Sequence, residues 1–340
     1  MKNLLFLGLG SIGQRHFRNL KKIDKRLNFF CIRKKNITPL LDNQNKVKNK
    51  KINLTKIGIK EITFKDIKKY RIDTAFVTNP TSLHVKNAIK LANLNLDLFI
   101  EKPLSHNLDG IKDLKKLIKK KKLKCEIGFQ TRYDEILLKI KKIIASRKYG
   151  KILKCDIVHC HYLPFHHKYE NYKISYASRK NLGGGVLLCF SHEVDYAQYL
   201  FGNPKKIIPI KISSEKNFNI DVETSAEFSM IYKNNLQVDF NLDFLKKKPV
   251  RICNIQFEKG NLKWDLLQSK LTIKTNFLRK FKNKKRKRNE LFLKSIKYVK
   301  KNFSKNKNGK NTIENGIKNL HTILKIKKSL NLKKIIKLHY

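Results

Sequence analysis

Apolar residues in the first third of the chain follow two alternating rhythms. Short runs rich in β-branched, aromatic and leucine side chains at 3–7, 28–32, 61–64, 74–78, 96–100 and 125–128 read as buried strands. Between them Ile12, His16, Leu20 and Ile23 recur three to four residues apart, as do the apolar positions of 83–94 and 108–117, which is the period of an amphipathic helix. Strands that alternate with helices pair in parallel, because each helix supplies the crossover that a parallel neighbour requires. A doubly wound parallel sheet is therefore expected over 1–128, with loop or weak helix in the polar stretch at 43–56.

After residue 128 the rhythm changes. A helix over 133–146, a long strand over 152–162, an irregular aromatic segment to 180 and a helix over 185–201 precede strand-like runs at 205–214, 224–232, 236–244 and 250–258. The turns between these runs are short, as at Lys233-Asn234-Asn235, so antiparallel neighbours in a large open sheet are expected. A basic run at 282–288 reads as loop, and helices over 290–300 and 313–329 close the chain. The expected architecture is α/β, with one domain over 1–128 and a second α/β domain, mainly antiparallel in its sheet, over 129–340.

Composition changes this picture little. The 340 residues are 41% hydrophobic, enough for a sizeable core. The net charge of +52 comes from 78 Lys and Arg against 26 Asp and Glu, but 66 of the 78 are lysine and they are spread over every segment. A phosphate-reading surface concentrates arginine for its bidentate fork, so no specific nucleic-acid partner is expected. Six cysteines at 31, 125, 155, 160, 189 and 253 lack paired spacing, which argues for a reducing compartment. The first apolar run is too short for a signal or a membrane span, so a cytoplasmic protein without a membrane partner is expected.

Gly8-Leu9-Gly10-Ser11-Ile12-Gly13 follows the first predicted strand at once and opens the first helix. In that context Gly8 permits the tight turn, Gly10 lets backbone approach a pyrophosphate, and Gly13 allows close helix-to-strand packing, while Ser11 and Ile12 begin the helix whose N-terminus faces the anion. The alternative is a purely structural glycine turn. About 20 residues past the last glycine an acidic residue would grip the ribose 2′-hydroxyl of NAD. The stretch here is Ile32-Arg33-Lys34-Lys35, with no carboxylate before Asp42. Arg33 and Lys34 suit a 2′-phosphate, which favours NADP(H) over NAD(H). Glu101-Lys102-Pro103 stands at the carboxyl end of the fifth predicted strand of this half, the edge where ligands bind. Lys102 there could exchange a proton with a substrate hydroxyl or carbonyl while a nicotinamide takes or gives hydride; a solvated lysine is the alternative.

Taken in order, GLGSIGQRH at 8–16, TNPTSLHVKNAI at 78–89, FIEKPLS at 99–105, GFQTRY at 128–133 and GGGVLLCFSHEVDYAQYLFG at 183–202 resemble the glucose-fructose oxidoreductase / inositol dehydrogenase / rhizopine-catabolism (Gfo/Idh/MocA) family of NAD(P)-dependent oxidoreductases. The resemblance covers nearly the whole chain. It implies a Rossmann domain followed by an α/β domain whose open sheet often forms a dimer face, hence a homodimer or homotetramer. It implies Lys102 and His192 as the pair that flanks the nicotinamide and handles the proton. Asn79, Pro80 and His84 match the loop that contacts cofactor, Glu101 the group on the nicotinamide ribose, and Pro103 a residue often preceded by a cis bond. Many members carry an Asp four residues before the histidine, whereas this chain has Leu188 there and Cys189 three before. One helical step turns Glu193 away from His192, and Asp195 has packing or capping as its alternative role. Cys189 reads as core filler.

Tyr162, His166, Tyr172, Tyr176 and Arg179 of the irregular segment offer aromatic faces for a sugar ring and donors for hydroxyls, carboxylates or phosphates. With Arg132 and His192 they form the candidate substrate set, against the alternative of an ordinary connection. The segment resembles a branch of the family found with surface-glycan and nonulosonic-acid biosynthesis, which implies an amino- or nucleotide-sugar. His159, Cys160 and His161 alternate across a strand and do not share a face, so no metal is expected. The resulting expectation is an oxidoreductase that moves hydride between a nicotinamide cofactor and a sugar or sugar derivative. The alternative is a catalytically weak cofactor-binding sensor or scaffold of the same fold.

Overall fold

The computed structural model of the chain describes residues 1–33, 39–275, 279–281 and 288–340. Lys34 and, save for the backbone of Arg288, the basic run at 282–288 lie outside the described residues.

Strands β1 (Asn3–Leu7), β2 (Asn28–Ile32), β3 (Lys60–Glu61), β4 (Thr74–Val77), β5 (Asp97–Ile100) and β6 (Cys125–Ile127) form a sheet in the order β3-β2-β1-β4-β5-β6. Every pairing in it is parallel. The order reverses between β1 and β4, which opens a crevice at their carboxyl ends. Alternate residues feed two cores. Phe6, Phe76 and Phe99 stack at 5.1 and 4.9 Å and meet Phe17 of helix α1 (Ser11–Ile23). Leu5, Leu7, Ala75, Val77, Leu98 and Ile100 face the other side, against helices α2 (His84–Asn93) and α3 (Ile111–Lys120). Burial on both faces is why these strands read as unbroken apolar runs.

Local polar chemistry moved some boundaries. The strand expected at 61–64 ends at Glu61, because Thr63 and Asp66 cap each other around a 3₁₀ turn at Phe64–Asp66. The helix expected at 108–117 begins only at Ile111; before it, Ser105 and Asn107 side chains take the backbone N–H groups of Asn107 and Asp109. The 43–56 stretch holds part of a small hairpin, Leu40–Leu41 with Val47–Asn49, and the start of a one-turn helix at Leu54–Ile57.

The second half contributes helix α4 (Glu135–Ser146), strand β7 (Ile152–Cys160), helix α5 (Ser191–Phe201) and strands β8 (Lys206–Ser213), β9 (Ser225–Ile231), β10 (Gln237–Asp243) and β11 (Val250–Phe257). Strands β12 (Gly260–Asp265), β13 (Lys270–Lys274) and β14 (Arg279–Phe281), helices α6 (Arg288–Ser304) and α7 (Ile313–Leu332), and strand β15 (Ile336–Lys337) follow. Among the described residues the second sheet has nine strands in the order β14-β13-β12-β11-β7-β10-β9-β8-β15. All its pairings are antiparallel but one: β7 runs parallel to β10 and antiparallel to β11. The runs at 236–244 and 250–258 are therefore not neighbours, contrary to expectation. Their connection carries three lysines and Pro249 in place of a Gly/Asn turn, and it passes over the end of β7. Strands β12 and β13 went unforeseen because each is short and carries only two inward apolar residues, Leu262 with Trp264 and Leu271 with Ile273. Helix α6 returns to the first sheet, where Ile296, Val299 and Phe303 join the Phe6 core.

Glu126, on edge strand β6, has no exposed surface. It accepts the Tyr133 hydroxyl at 2.6 Å and the Asn311 N–H at 3.2 Å, tying the turn before α7 to the first sheet. Burial pushes its carboxyl from an ordinary 4.5 up to about 7. A folded state that prefers the protonated acid gains stability below about pH 4.5 and loses that gain as pH rises through about 7. At about 1.4 kcal/mol per unit the loss is a few kcal/mol. Thermal unfolding from pH 5 to 8 should therefore show the wild type losing stability relative to Glu126→Gln, and parallel profiles would refute this.

Candidate active site

The glycine-rich turn sits at the carboxyl end of β1. A Cβ on Gly8 would lie 3.1 Å from the Asn79 backbone, and one on Gly13 would lie 2.6 Å from the Gly8 carbonyl and 2.8 Å from Thr78 Oγ1. Both glycines are thus required by the protein's own packing, with Thr78 a partner that the motif does not name. Among the described residues a Cβ at Gly10 would meet nothing within 4 Å. The first turn of α1, at Ser11 and Ile12, carries no acidic residue and no side-chain cap, so its amides remain available to an anion. Across the crevice, Asn79 Oδ1 is buried without a partner, and Pro80 follows it. An open space at Gly10, uncapped amides and an orphaned amide oxygen fit a dinucleotide. His84 contributes indirectly, since its ring nitrogens lie 2.9 Å from the carbonyls of Asn79 and Pro103 and hold those two loops together.

Arg33 is not a free cation. Its guanidinium makes a two-pronged pair with Glu61 of β3, at 2.9 and 3.1 Å. The acid that the second strand lacks is thus supplied by its neighbour, where Glu61 is in register with Cys31. A 2′-phosphate would have to compete with Glu61 for Arg33. Glu101 is similarly engaged: Oε1 lies 2.6 Å from His16 Nε2, and Oε2 accepts the Lys102 N–H at 3.2 Å. His16, expected only as part of the apolar stripe of α1, therefore anchors the Glu101-Lys102-Pro103 turn, whose Lys102–Pro103 peptide is cis.

Lys102 Nζ donates to the Cys189 carbonyl at 2.8 Å. That carbonyl is available because the helix expected over 185–201 is broken. A one-turn helix ends at Cys189, Phe190 leaves helical geometry, and α5 starts at Ser191, where the Glu193 N–H turns to the Phe190 carbonyl. Loss of hydration lowers the Lys102 pKa, opposed by nearby negative groups. His192, on the first turn of α5, is buried against the edge of Phe129, with Nδ1 3.4 Å from Thr131 Oγ1 and Nε2 without a partner. Burial first, then the charges of Lys102 and Arg251, lower its pKa well below the ordinary value, so the ring is neutral.

Among the described residues no carboxylate is bonded to His192. Asp195 instead takes Arg132, through Nε at 3.0 Å and Nη2 at 2.8 Å. Arg132, expected as a substrate contact, is thereby a buried strut to α5. Glu193 does turn away from His192, and reaches the sheet: Oε1 accepts Arg251 Nε at 2.7 Å and lies 3.1 Å from His159 Nδ1. Burial raises the Glu193 pKa, but Arg251 and His159 more than reverse this and hold it well below the usual carboxylate range.

The 162–180 segment folds as a series of 3₁₀ turns over this region. Gly184 lets it in, since a Cβ there would lie 2.5 Å from the carbonyls of Tyr176 and Ala177, and one on Gly185 would collide with the Glu223 carboxylate. Tyr176 places its hydroxyl against the Cys189 thiol. Tyr169, not singled out from the sequence, places its hydroxyl against Ser11 of the glycine-rich turn. Tyr162 and Tyr172 pack edge-on against Phe218, and Tyr172 donates to the Phe218 carbonyl, so they stiffen the wall. His166 stacks on His167 at 4.9 Å. Arg179 is exposed. All six cysteines are buried and free.

A parallel sheet with a glycine-rich turn at its switch point and Lys102 at the end of β5, joined to a domain whose helix α5 carries His192, is a Rossmann-type fold. A model for the oxidoreductase family with an NAD-binding Rossmann fold matches 2–129, and one for the GFO/IDH/MocA C-terminal domain matches 137–263; the chain belongs to the GFO/IDH/MocA family. The scyllo-inositol 2-dehydrogenase (NAD(+)) of Bacillus subtilis (strain 168) is 27% identical over 199 residues, 58% of this chain and 53% of that protein. The myo-inositol 2-dehydrogenase of Thermotoga maritima is 26% identical over 203 residues, 58% of this chain and 54% of that protein. The alignments thus span about half the length of these relatives. Levoglucosan dehydrogenase in complex with NADH shares the fold at TM-score 0.82 and 14% identity, with 99% of both chains covered. Myo-inositol 2-dehydrogenase from Lactobacillus plantarum does so at TM-score 0.76 and 19% identity, with 99% of both chains covered. No helix among the described residues is long and apolar enough to cross a membrane.

The second and third glycines should separate folding from binding. Gly10→Ala, which meets no protein atom, should leave the melting temperature within about 2 °C while weakening dinucleotide binding about tenfold or more. Gly13→Ala should lower the melting temperature by several degrees, on the order of 1–3 kcal/mol of overpacking. Unweakened binding in Gly10→Ala, measured by cofactor fluorescence, would show that the open space is not the cofactor's.

Proposed function

We propose that the protein transfers hydride between a nicotinamide dinucleotide and a carbinol or ketone carbon of a sugar or sugar derivative. The observation that carries this reading is the pairing at one edge of Lys102, fixed on the Cys189 carbonyl, with His192, whose Nε2 is buried and unpartnered. The amides of Ser11 and Ile12 and the space at Gly10 would hold the pyrophosphate, and Asn79 and Pro80 the nicotinamide half. The bound nicotinamide supplies or accepts the hydride. Lys102, its proton affinity reduced by burial, exchanges a proton with the substrate oxygen. His192, neutral and steadied by Thr131, accepts a hydrogen bond or proton at Nε2 and so orients the carbinol. Tyr176 closes this side of the site.

Within this proposal 1–128 serves the cofactor and 129–340 the substrate, with α6 lent back to the first sheet. The inositol dehydrogenases among the relatives support a polyol or sugar substrate, and the amino- or nucleotide-sugar expectation rests on the sequence resemblance. Buried free cysteines support a cytoplasmic location, and the family resemblance a homodimer or homotetramer. The lack of a carboxylate on His192 among the described residues favours the second reading, a weakly catalytic cofactor-binding protein. Lys102→Ala and His192→Ala should each lower turnover about a hundredfold or more with cofactor affinity nearly unchanged. Full activity in His192→Ala would remove it from the proton pathway, and no turnover of any sugar by the wild type would leave the second reading.

For the cofactor, we keep NADP(H) as the preferred form, with the Glu61 carboxylate limiting that preference by occupying Arg33. Glu61→Gln should release the guanidinium for a 2′-phosphate and raise the NADPH-to-NADH affinity ratio by about tenfold. Tighter binding of NADH than NADPH by the wild type would end the preference.

A further inference from the structure

Arg251 lines the same site and has no role in the steps described above. On β11 it stands opposite His159 of β7, and it reaches across to Glu193 of α5 through Nε. Among the described residues its Nη2 is buried without a hydrogen-bond partner, as is Nε2 of His192, whose pKa the Arg251 charge helps to lower. The second oxygen of Glu193, Oε2, is likewise buried and unpartnered. A guanidinium cannot shed its protons, and a dry N–H without an acceptor is costly, so this corner is built for an acceptor from outside the chain.

Four of the five residues from Cys189 to Glu193 tie this corner to Lys102 and His192. The Cys189 carbonyl holds Lys102, Phe190 stacks on His159 at 3.6 Å, His192 presents its unpartnered Nε2, and Glu193 holds Arg251. Among the described residues Glu193 is the one carboxylate bonded to either side-chain cation. Lys102 and Arg251 both lie near Glu193, and Lys102 also beside Glu101, in surroundings dry enough to lower the His159 pKa to about 4.

We propose that Arg251 receives the carboxylate of an acidic sugar, so that the substrate is a uronic-acid-type derivative and not a neutral sugar or polyol. The inference rests on the hydride-transfer reading above. Arg251 Nη2 donates to a carboxylate oxygen, and Glu193 Oε2 accepts a hydroxyl of the same ring, which orients the sugar relative to Lys102 and His192. Removing the carboxylate leaves a buried donor unpaired, the situation in which a polar site discriminates most strongly.

The test compares matched pairs, glucuronate with glucose and galacturonate with galactose, on the full-length protein. Binding to the complex with reduced dinucleotide is followed by calorimetry, and oxidation is followed by dinucleotide absorbance. At least one acid should bind about tenfold or more tightly than its neutral partner. That ratio should fall towards one in Arg251→Gln and to an intermediate value in Arg251→Lys. Should Arg251→Gln fail to fold, because Glu193 is left buried without its cation, Arg251→Lys and the wild-type binding ratio still decide the matter. Neutral sugars bound as tightly as both acids, or a ratio unmoved in Arg251→Lys, would overturn the proposal. Selective binding of an acid with no turnover of any sugar would instead count against the hydride-transfer reading and leave the Arg251 assignment supported.

Discussion

The carbonyl of Cys189 is the point on which the site depends. In an unbroken helix it would accept the N–H four residues on, that of Glu193, and Lys102 would have no anchor. The break at Phe190 releases it. The kink has no proline or glycine at its centre; its cause is Phe190 itself, drawn out of the helical path to stack on His159 and meet Phe244 edge-on at 5.1 Å. A contact between Phe190 and a histidine ring of the second sheet thus determines where a lysine of the first sheet can rest.

Helix α5 must also keep His192 at a fixed angle, and two buried ion pairs do this from nearly opposite sides. Glu193 and Asp195 are two residues apart, about 200° around the helix. One holds Arg251 on the sheet and the other Arg132 in the turn that follows β6. Deleting one partner of such a pair leaves an uncompensated charge and costs about 3–5 kcal/mol. The helix therefore has little freedom to rotate, and the backbone that carries His192 is clamped on both sides.

Much of the first half was legible because its signals are local. The glycine spacing, the apolar runs and the turn at Glu101-Lys102-Pro103 each depend on residues a few positions apart, and the parallel sheet with its switch point follows from them. Local reasoning failed where a partner came from another strand. Arg33 reads as a free cation until Glu61 of β3 is seen beside it, and His16 reads as core until its ring meets Glu101. In the second half the order of strands escaped, since pairing β7 between β10 and β11 is a long-range choice that no turn signals.

By itself the sequence determined the class of fold, the first turn as the expected place for a dinucleotide, and the candidacy of Lys102 at a strand end, because period and spacing act over short stretches of chain. His192 became a candidate through the family resemblance. Tertiary structure alone decided which charges are available. Arg132 and Arg33 are committed to Asp195 and Glu61, whereas Arg251, which no motif marks, keeps a bare donor. Whether a buried cation is a strut or a receptor depends on the acceptors within about 3 Å of it, and those come from parts of the chain that only folding brings together.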